Sequence, residues 1–175
     1  MAALAGPFLV TTALLGGAGA LKVARPAPTA GALRQMGVPA SNTAVRIGAT
    51  AELAVATAAM VDGSRPFAAL VALSYLAFAA FVLVALRRHI PLSSCGCFGV
   101  EDTPPTAVHL VINLAAAATA ATVALGVAEG GGLAAITTMD ASLLLRGAFV
   151  GSTATATWFA YVALTQLPRL MKAAR

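Results

Sequence analysis

The sequence predicts an all-α, polytopic membrane bundle: a four-helix core followed by a fifth, C-terminal transmembrane helix. Three observations predict it. The 175 residues are 59% hydrophobic and only 10% charged, with a mean hydropathy of +0.89, more apolar than a soluble core requires. Several apolar runs reach the ~20 residues that cross a bilayer as helix. The basic residues sit in short clusters at the ends of those runs, as anchoring charges do. The net charge of +5 therefore reads as membrane anchoring, and no nucleic-acid partner is expected. The partner common to every span is the lipid bilayer, and the expected location is the cell membrane, in several passes. No linker or internal repeat divides the chain, so residues 1–175 read as one integral membrane domain, with a core at about 1–128.

Five spans are expected, each bounded by recognisable residues. Ala2–Leu21 is the first. Ala18-Gly19-Ala20 imitates a signal-peptidase site, but no Lys or Arg precedes the run, so it reads as a membrane helix. Lys22 to Thr43, with Arg25, Pro26, Pro28, Arg34 and Pro39, reads as an interfacial loop holding a short helix. Ala44–Val61 is the second span, and Asp62-Gly63-Ser64-Arg65-Pro66 makes a tight connection to the third, Phe67–Leu86. Arg87-Arg88-His89 and Pro91 end that span. Pro104-Pro105 opens the fourth, Ala107–Ala128, where the first helical N–H groups have no partner to lose. Glu129-Gly130-Gly131-Gly132 closes it, and Gly147–Leu167 is the fifth.

The basic residues also predict an orientation. Five spans put Lys22, Arg25, Arg34, Arg46, Arg87, Arg88, Arg169, Lys172 and Arg175 on one side, and only Arg65 and Arg146 on the other. The positive-inside rule then places the N-terminus outside and the segment before the fourth span in the cytoplasm. Thiol oxidation on the periplasmic side requires the opposite.

That segment holds the strongest chemical signal, Cys95-Gly96-Cys97-Phe98-Gly99, with the chain's only two cysteines. Thiols one residue apart close a disulfide only through a tight turn, which Gly96 permits. So small a ring is strained and easily reduced, which suits a redox relay better than a staple. Arg87, Arg88 and His89 upstream add positive potential that favours thiolate. Two other readings stand beside it: a pair of small buried hydrophobes, and soft-metal binding. Two cysteines alone leave a zinc site incomplete, and no resident metal is expected.

Glu52 is the second signal, an ionisable group inside a span. It reads either as a proton carrier or hydrogen-bonding group for a polar ligand such as a quinone headgroup, or as an internal tie to Lys22, Arg46 or another helix. His109 and Asn113, four apart on the fourth span, share a face. His109 is a candidate for proton exchange with a thiol or quinone; interhelical hydrogen bonding is the alternative for both. Gly147 and Gly151 form a small-xxx-small pattern of little specificity in so Ala-rich a chain. Trp158, Phe159 and Tyr161 read as packing or lipid-facing aromatics.

With these residues in place, the chain resembles the MauE/DoxX-like family of small redox-associated membrane proteins, named from methylamine utilisation. The resemblance rests on Lys22 and Pro26 after the first span, Glu52 in the second, and Cys95-Gly96-Cys97-Phe98-Gly99 before the fourth. It covers about the first two thirds of the chain. It implies a four-helix core acting with thioredoxin-like partners in disulfide handling; the methylamine-utilisation member is implicated in maturing a disulfide-rich periplasmic dehydrogenase subunit. The layout also looks like the vitamin K epoxide reductase bundle, where a cysteine pair at a helix mouth passes electrons to a quinone. That likeness is one of architecture. Two features depart from the family pattern: the fifth span, and Ile112 where a basic residue is expected just before Asn113.

The expected function is a membrane thiol–disulfide relay through Cys95 and Cys97, with Glu52 and His109 managing protons. No tightly bound cofactor is expected, and a membrane quinone is the second redox partner this reading calls for. The rival reading is a non-catalytic subunit or assembly factor of a larger membrane complex; a metal-handling protein is the third.

Overall fold

The computed structural model describes residues 4–90, 92, 104–129, 132, 133, 136 and 142–166. Among them there are six helices and no strand: α1 (Ala5–Ala24), α2 (Ala27–Gln35), α3 (Asn42–Asp62), α4 (Arg65–Arg87), α5 (Ala107–Ala124) and α6 (Leu143–Thr165). Four of them, α1, α3, α4 and α5, are long and apolar enough to cross a membrane. The polytopic helical bundle expected from the sequence is therefore the observed architecture. The fifth expected span forms as α6, 23 residues long. Its Arg146 and its run of Ser and Thr leave it less apolar, and it is not among the four.

The helix ends follow local chemistry. Ser41 caps α3, its hydroxyl accepting from the Ala44 N–H at 3.0 Å, and Ser142 caps α6, accepting from the Leu145 N–H at 3.3 Å. An N-cap oxygen satisfies one of the four free donors of a helix start. The Ser142 cap explains why α6 begins four residues before the expected Gly147. At the other end of α5 the expected boundary was too late. The helix stops at Ala124 because Gly126 turns left-handed, at φ 73°. Its N–H donates to Val123 O, and that of Val127 to Thr122 O, both at 3.0 Å, a Schellman closure. The Arg65 guanidinium packs against Gly126 so closely that any Cβ there would lie 2.5 Å from it.

One boundary changes the reading of a functional residue. The sequence put Lys22 at the start of a loop, yet α1 runs one turn further and Lys22 lies buried in its last turn. A cation suits the C-terminal end of a helix dipole, and a partner on α3, described below, holds it there.

Small residues set the packing distances. α1 packs on α3 and α4 on α5, the two largest helix contacts. Seven of the twelve buried members of the main core cluster are alanines, on α3, α4 and α5, with Phe8, Leu15, Val71, Tyr75 and Val123 filling between them. Small side chains let membrane helices approach closely where no hydrophobic drive separates lipid from protein. The large apolar residues point outward instead: Leu70, Leu73 and Leu76 on α4, Val111 and Leu114 on α5, Trp158 and Phe159 on α6. Such surfaces fit a bilayer as surroundings.

α6 lies along α1 and runs in the same direction. Phe149 near its start reaches Gly6 near the start of α1, and Leu164 near its end joins Leu14, Leu15 and Ala18. At one end of the bundle, called here the basic end, the last turns of α1 and α4 meet α2 and the first turns of α3 and α5. Lys22, Arg25, Arg34, Arg46, Arg87 and Arg88 belong to this end. The opposite end holds the α3–α4 turn and Gly126.

Candidate functional site

At the basic end, Lys22 of α1 donates to Glu52 of α3 in a partly buried ion pair. The Lys22 side chain is 4% exposed and that of Glu52 21%. Both charges would be costly alone in an apolar bundle; together they neutralise each other. The Lys22 ammonium also stands 4.5 Å from the centre of the Phe78 ring, a cation–π contact that strengthens away from water. The structure thus selects the Lys22 tie among the partners open to Glu52. Arg46 turns away, and its Nε donates to Val23 O at 3.3 Å.

Over this pair lies a groove of about 450 Å³ between α2, α3 and α4. Phe78, Phe81, Val45, Ala49, Leu33 and Val38 wall it, and Lys22 and Glu52 are the only ionisable ones among its described lining residues. Apolar walls with a few converging polar groups are the usual make-up of a small-molecule site. α2 makes the outer wall because Pro26 and Pro28 start it, and Gly37 turns the chain back at φ 83°. Arg34 Nη1 then donates to Ala40 O at 2.8 Å and closes that turn.

The Phe78 ring is also a wall of a second, smaller space. Tyr75, edge-on to Phe78 at 6.0 Å between centroids, lines it with His109, Asn113, Leu14, Leu15, Ala18, Ile112 and Leu164. This chamber is only about 20 Å³, room for one water molecule. His109 is 1% exposed and Asn113 6%. His109 Nδ1 accepts from the Thr106 N–H at 3.3 Å, with Thr106 Oγ1 at 3.0 Å, so the ring closes the start of its own helix. The ring shares this chamber with Leu164, near the end of α6. Tyr75 donates to Thr11 O at 2.8 Å, joining α4 to α1.

The sequence-predicted residues therefore divide. His109 and Asn113 share a chamber, as their spacing predicts. Glu52 is not in it: Phe78 separates the chamber from the groove that holds Glu52. The hydrogen bonds of His109 lie within the cap of its own helix. Cys95 and Cys97 lie outside the described residues. Their flanks do not. Leu92 packs with Ala32 of α2 and Ala85 of α4, and Ala32 is itself a groove residue. The chain reappears at Pro104, just before the Thr106–His109 cap. Both flanks belong to the basic end. Among the described residues no group of three or more His, Cys, Asp or Glu comes together.

Two residues of this region were not singled out from sequence, Tyr75 and Phe78. A tyrosine in the middle of a span was the available signal. Phe78, three residues on, shares its face.

A multi-pass helical bundle with a buried Lys–Glu pair under an apolar groove defines a class of small integral membrane protein. The chain matches the family model of the methylamine utilisation protein MauE over residues 1–126, and it belongs to that family. α6 lies wholly beyond the matched residues. No curated protein and no solved structure gives a significant match.

Proposed function

We propose that the protein is a membrane thiol–disulfide relay working at the basic end of the bundle. The observation that carries this reading is the Lys22–Glu52 pair beneath a groove whose wall residue Ala32 packs on Leu92, three residues before Cys95. In the relay, a thiolate of a thioredoxin-like partner attacks the Cys95–Cys97 disulfide. A mixed disulfide forms, and the partner's second thiol resolves it. The partner leaves oxidised, and Cys95 and Cys97 are left as thiols. Restoring their disulfide releases two electrons and two protons, for which a membrane quinone is the acceptor. The groove fits such a group: its walls are apolar and aromatic, and its ionisable residues lie together at the floor. A quinone supplies two-electron, two-proton acceptance when bound. Lys22 donates a hydrogen bond there, and Glu52 holds or passes a proton. His109 keeps the α5 cap beside the returning chain.

Single Cys95→Ser and Cys97→Ser variants test the relay by diagonal gel electrophoresis. One of the two is expected to accumulate a mixed disulfide with a thioredoxin-like protein. No trapped species in either variant overturns the relay and favours the assembly-factor reading. A membrane-impermeant maleimide on intact cells fixes the side: labelling only after reduction puts an oxidised pair outside, against the charge rule. Labelling only after lysis puts the pair in the cytoplasm and removes periplasmic oxidation from the proposal.

A further inference from the structure

A second cleft lies away from the groove, between α1 and α6, and measures about 680 Å³. Leu9, Ala13, Gly17 and Leu21 form its α1 wall; Phe149, Ala154, Trp158 and Tyr161 form its α6 wall. Among the described residues no charged one lines it. Its few hydroxyls are engaged: Thr153 donates to Phe149 O and Thr157 to Thr153 O. The cleft offers nothing to a polar ligand along its length.

We infer that this cleft holds one acyl chain of an anionic phospholipid, with its phosphate at Arg25. Three features of the cleft argue for this occupant. The first is length. Leu9 to Leu21 spans about 18 Å of helix at ~1.5 Å per residue, close to one leaflet of a ~30 Å hydrocarbon core. The second is lining. Leu9, Ala13, Leu14, Phe149 and Val150 wall the cleft with no charge among the described lining residues, as an acyl chain requires.

The third is charge. Leu21, at one end of the cleft, precedes Arg25 by one turn, and the Arg25 N–H donates to Leu21 O. Arg25 is exposed and has no side-chain partner among the described residues. Arg87 and Arg88 belong to the same end of the bundle. A negative headgroup is attracted there by each cation near the surface. At the other end of the cleft Met60, Leu133 and Ile136 add further apolar wall, which suits a chain terminus.

The site is made by α6, beyond the family-matched residues, and stands whether or not the relay does. Native mass spectrometry tests it on the full chain, purified and exchanged into detergent with phosphatidylglycerol and phosphatidylcholine in equal amounts. One retained phosphatidylglycerol per chain is expected. Arg25→Gln should reduce the preference for it over phosphatidylcholine about fivefold, the effect of one surface cation. Ala154→Phe, and separately Ala13→Leu on the facing wall, should abolish retention of both lipids while helix content by circular dichroism stays unchanged. A lipid-free wild type, retention undiminished in the folded cleft-filling variant, or a co-purifying quinone or second chain in the cleft's place overturns the inference.

Discussion

α1 makes two seams, and they are built differently. Toward α3 it presents Gly16 and Gly19, and the backbones nearly touch. A Cβ on Gly19 would lie 3.0 Å from Ala49 O and 3.1 Å from Leu53 N. Toward α6 it presents Leu9, Ala13 and Leu21 across an open cleft, and Gly17 has nothing within 4 Å of where a Cβ would stand. The tight seam carries the Lys22–Glu52 pair one turn above Gly19. The loose seam carries only apolar and hydroxyl groups. The contrast teaches where this protein spends geometric precision: on the seam that aligns two charges in an apolar bundle, inside the family-matched residues. The seam that faces lipid, made with the additional helix, is left with room.

Removing the charge pair tests the tight seam hardest. Glu52→Leu leaves Lys22 charged, buried and unpartnered, and should cost about 3–5 kcal/mol. Thermal unfolding in detergent, followed by circular dichroism, reads this as a large fall in midpoint. The double variant Lys22→Met/Glu52→Leu should recover most of it, since a buried ion pair replaced by apolar groups is often neutral. If the double variant is as unstable as the single, the pair is not an isolated unit and the seam's stability lies elsewhere.

Steric change at the same seam comes next. Gly19→Val forces two methyl groups toward the Ala49 carbonyl, and the α1 and α3 backbones must part. Overpacking of this kind costs about 1–3 kcal/mol, and it also separates Lys22 from Glu52. The same unfolding assay should show a smaller fall than Glu52→Leu, with Gly19→Ala intermediate between Gly19→Val and wild type. An unchanged midpoint in Gly19→Val would mean the seam has slack that the contact distances deny.

Much of the bundle was legible in the sequence because a bilayer imposes it. Run length and the charges between runs locate α3 and α4 to within two residues at each end. Misplaced ends have local causes. α1 continues through Lys22 because Glu52 neutralises it, a partner 30 residues away that hydropathy does not see. α5 stops at Ala124 because Gly126 takes a left-handed turn, while the glycine run at 130–132 looked the stronger breaker. The site was legible in parts. Glu52 stood out as a charge in a span and His109 with Asn113 as a face. That Phe78 divides them depends on how α4 rotates between α1 and α5, which no local pattern encodes. The fifth helix was expected, but its cleft was not, because a lipid-facing groove and a packed face share the same apolar composition.

The loose seam gives the smallest expected effect and the cleanest control. Gly147 and Gly151 form a motif that elsewhere brings helices together, yet neither has any atom within 4 Å of a built Cβ. If the motif packs nothing within the chain, Gly147→Ala and Gly151→Ala remove only the helix cost of glycine, ~1 kcal/mol or less each. The unfolding midpoint should hold or rise slightly, against the fall expected from the same Gly→Ala change at Gly19. A drop at Gly151 comparable to that at Gly19 would show that α6 meets another helix through this face, from a second copy or a partner. The division between a precise seam and a loose one would then fail for α6.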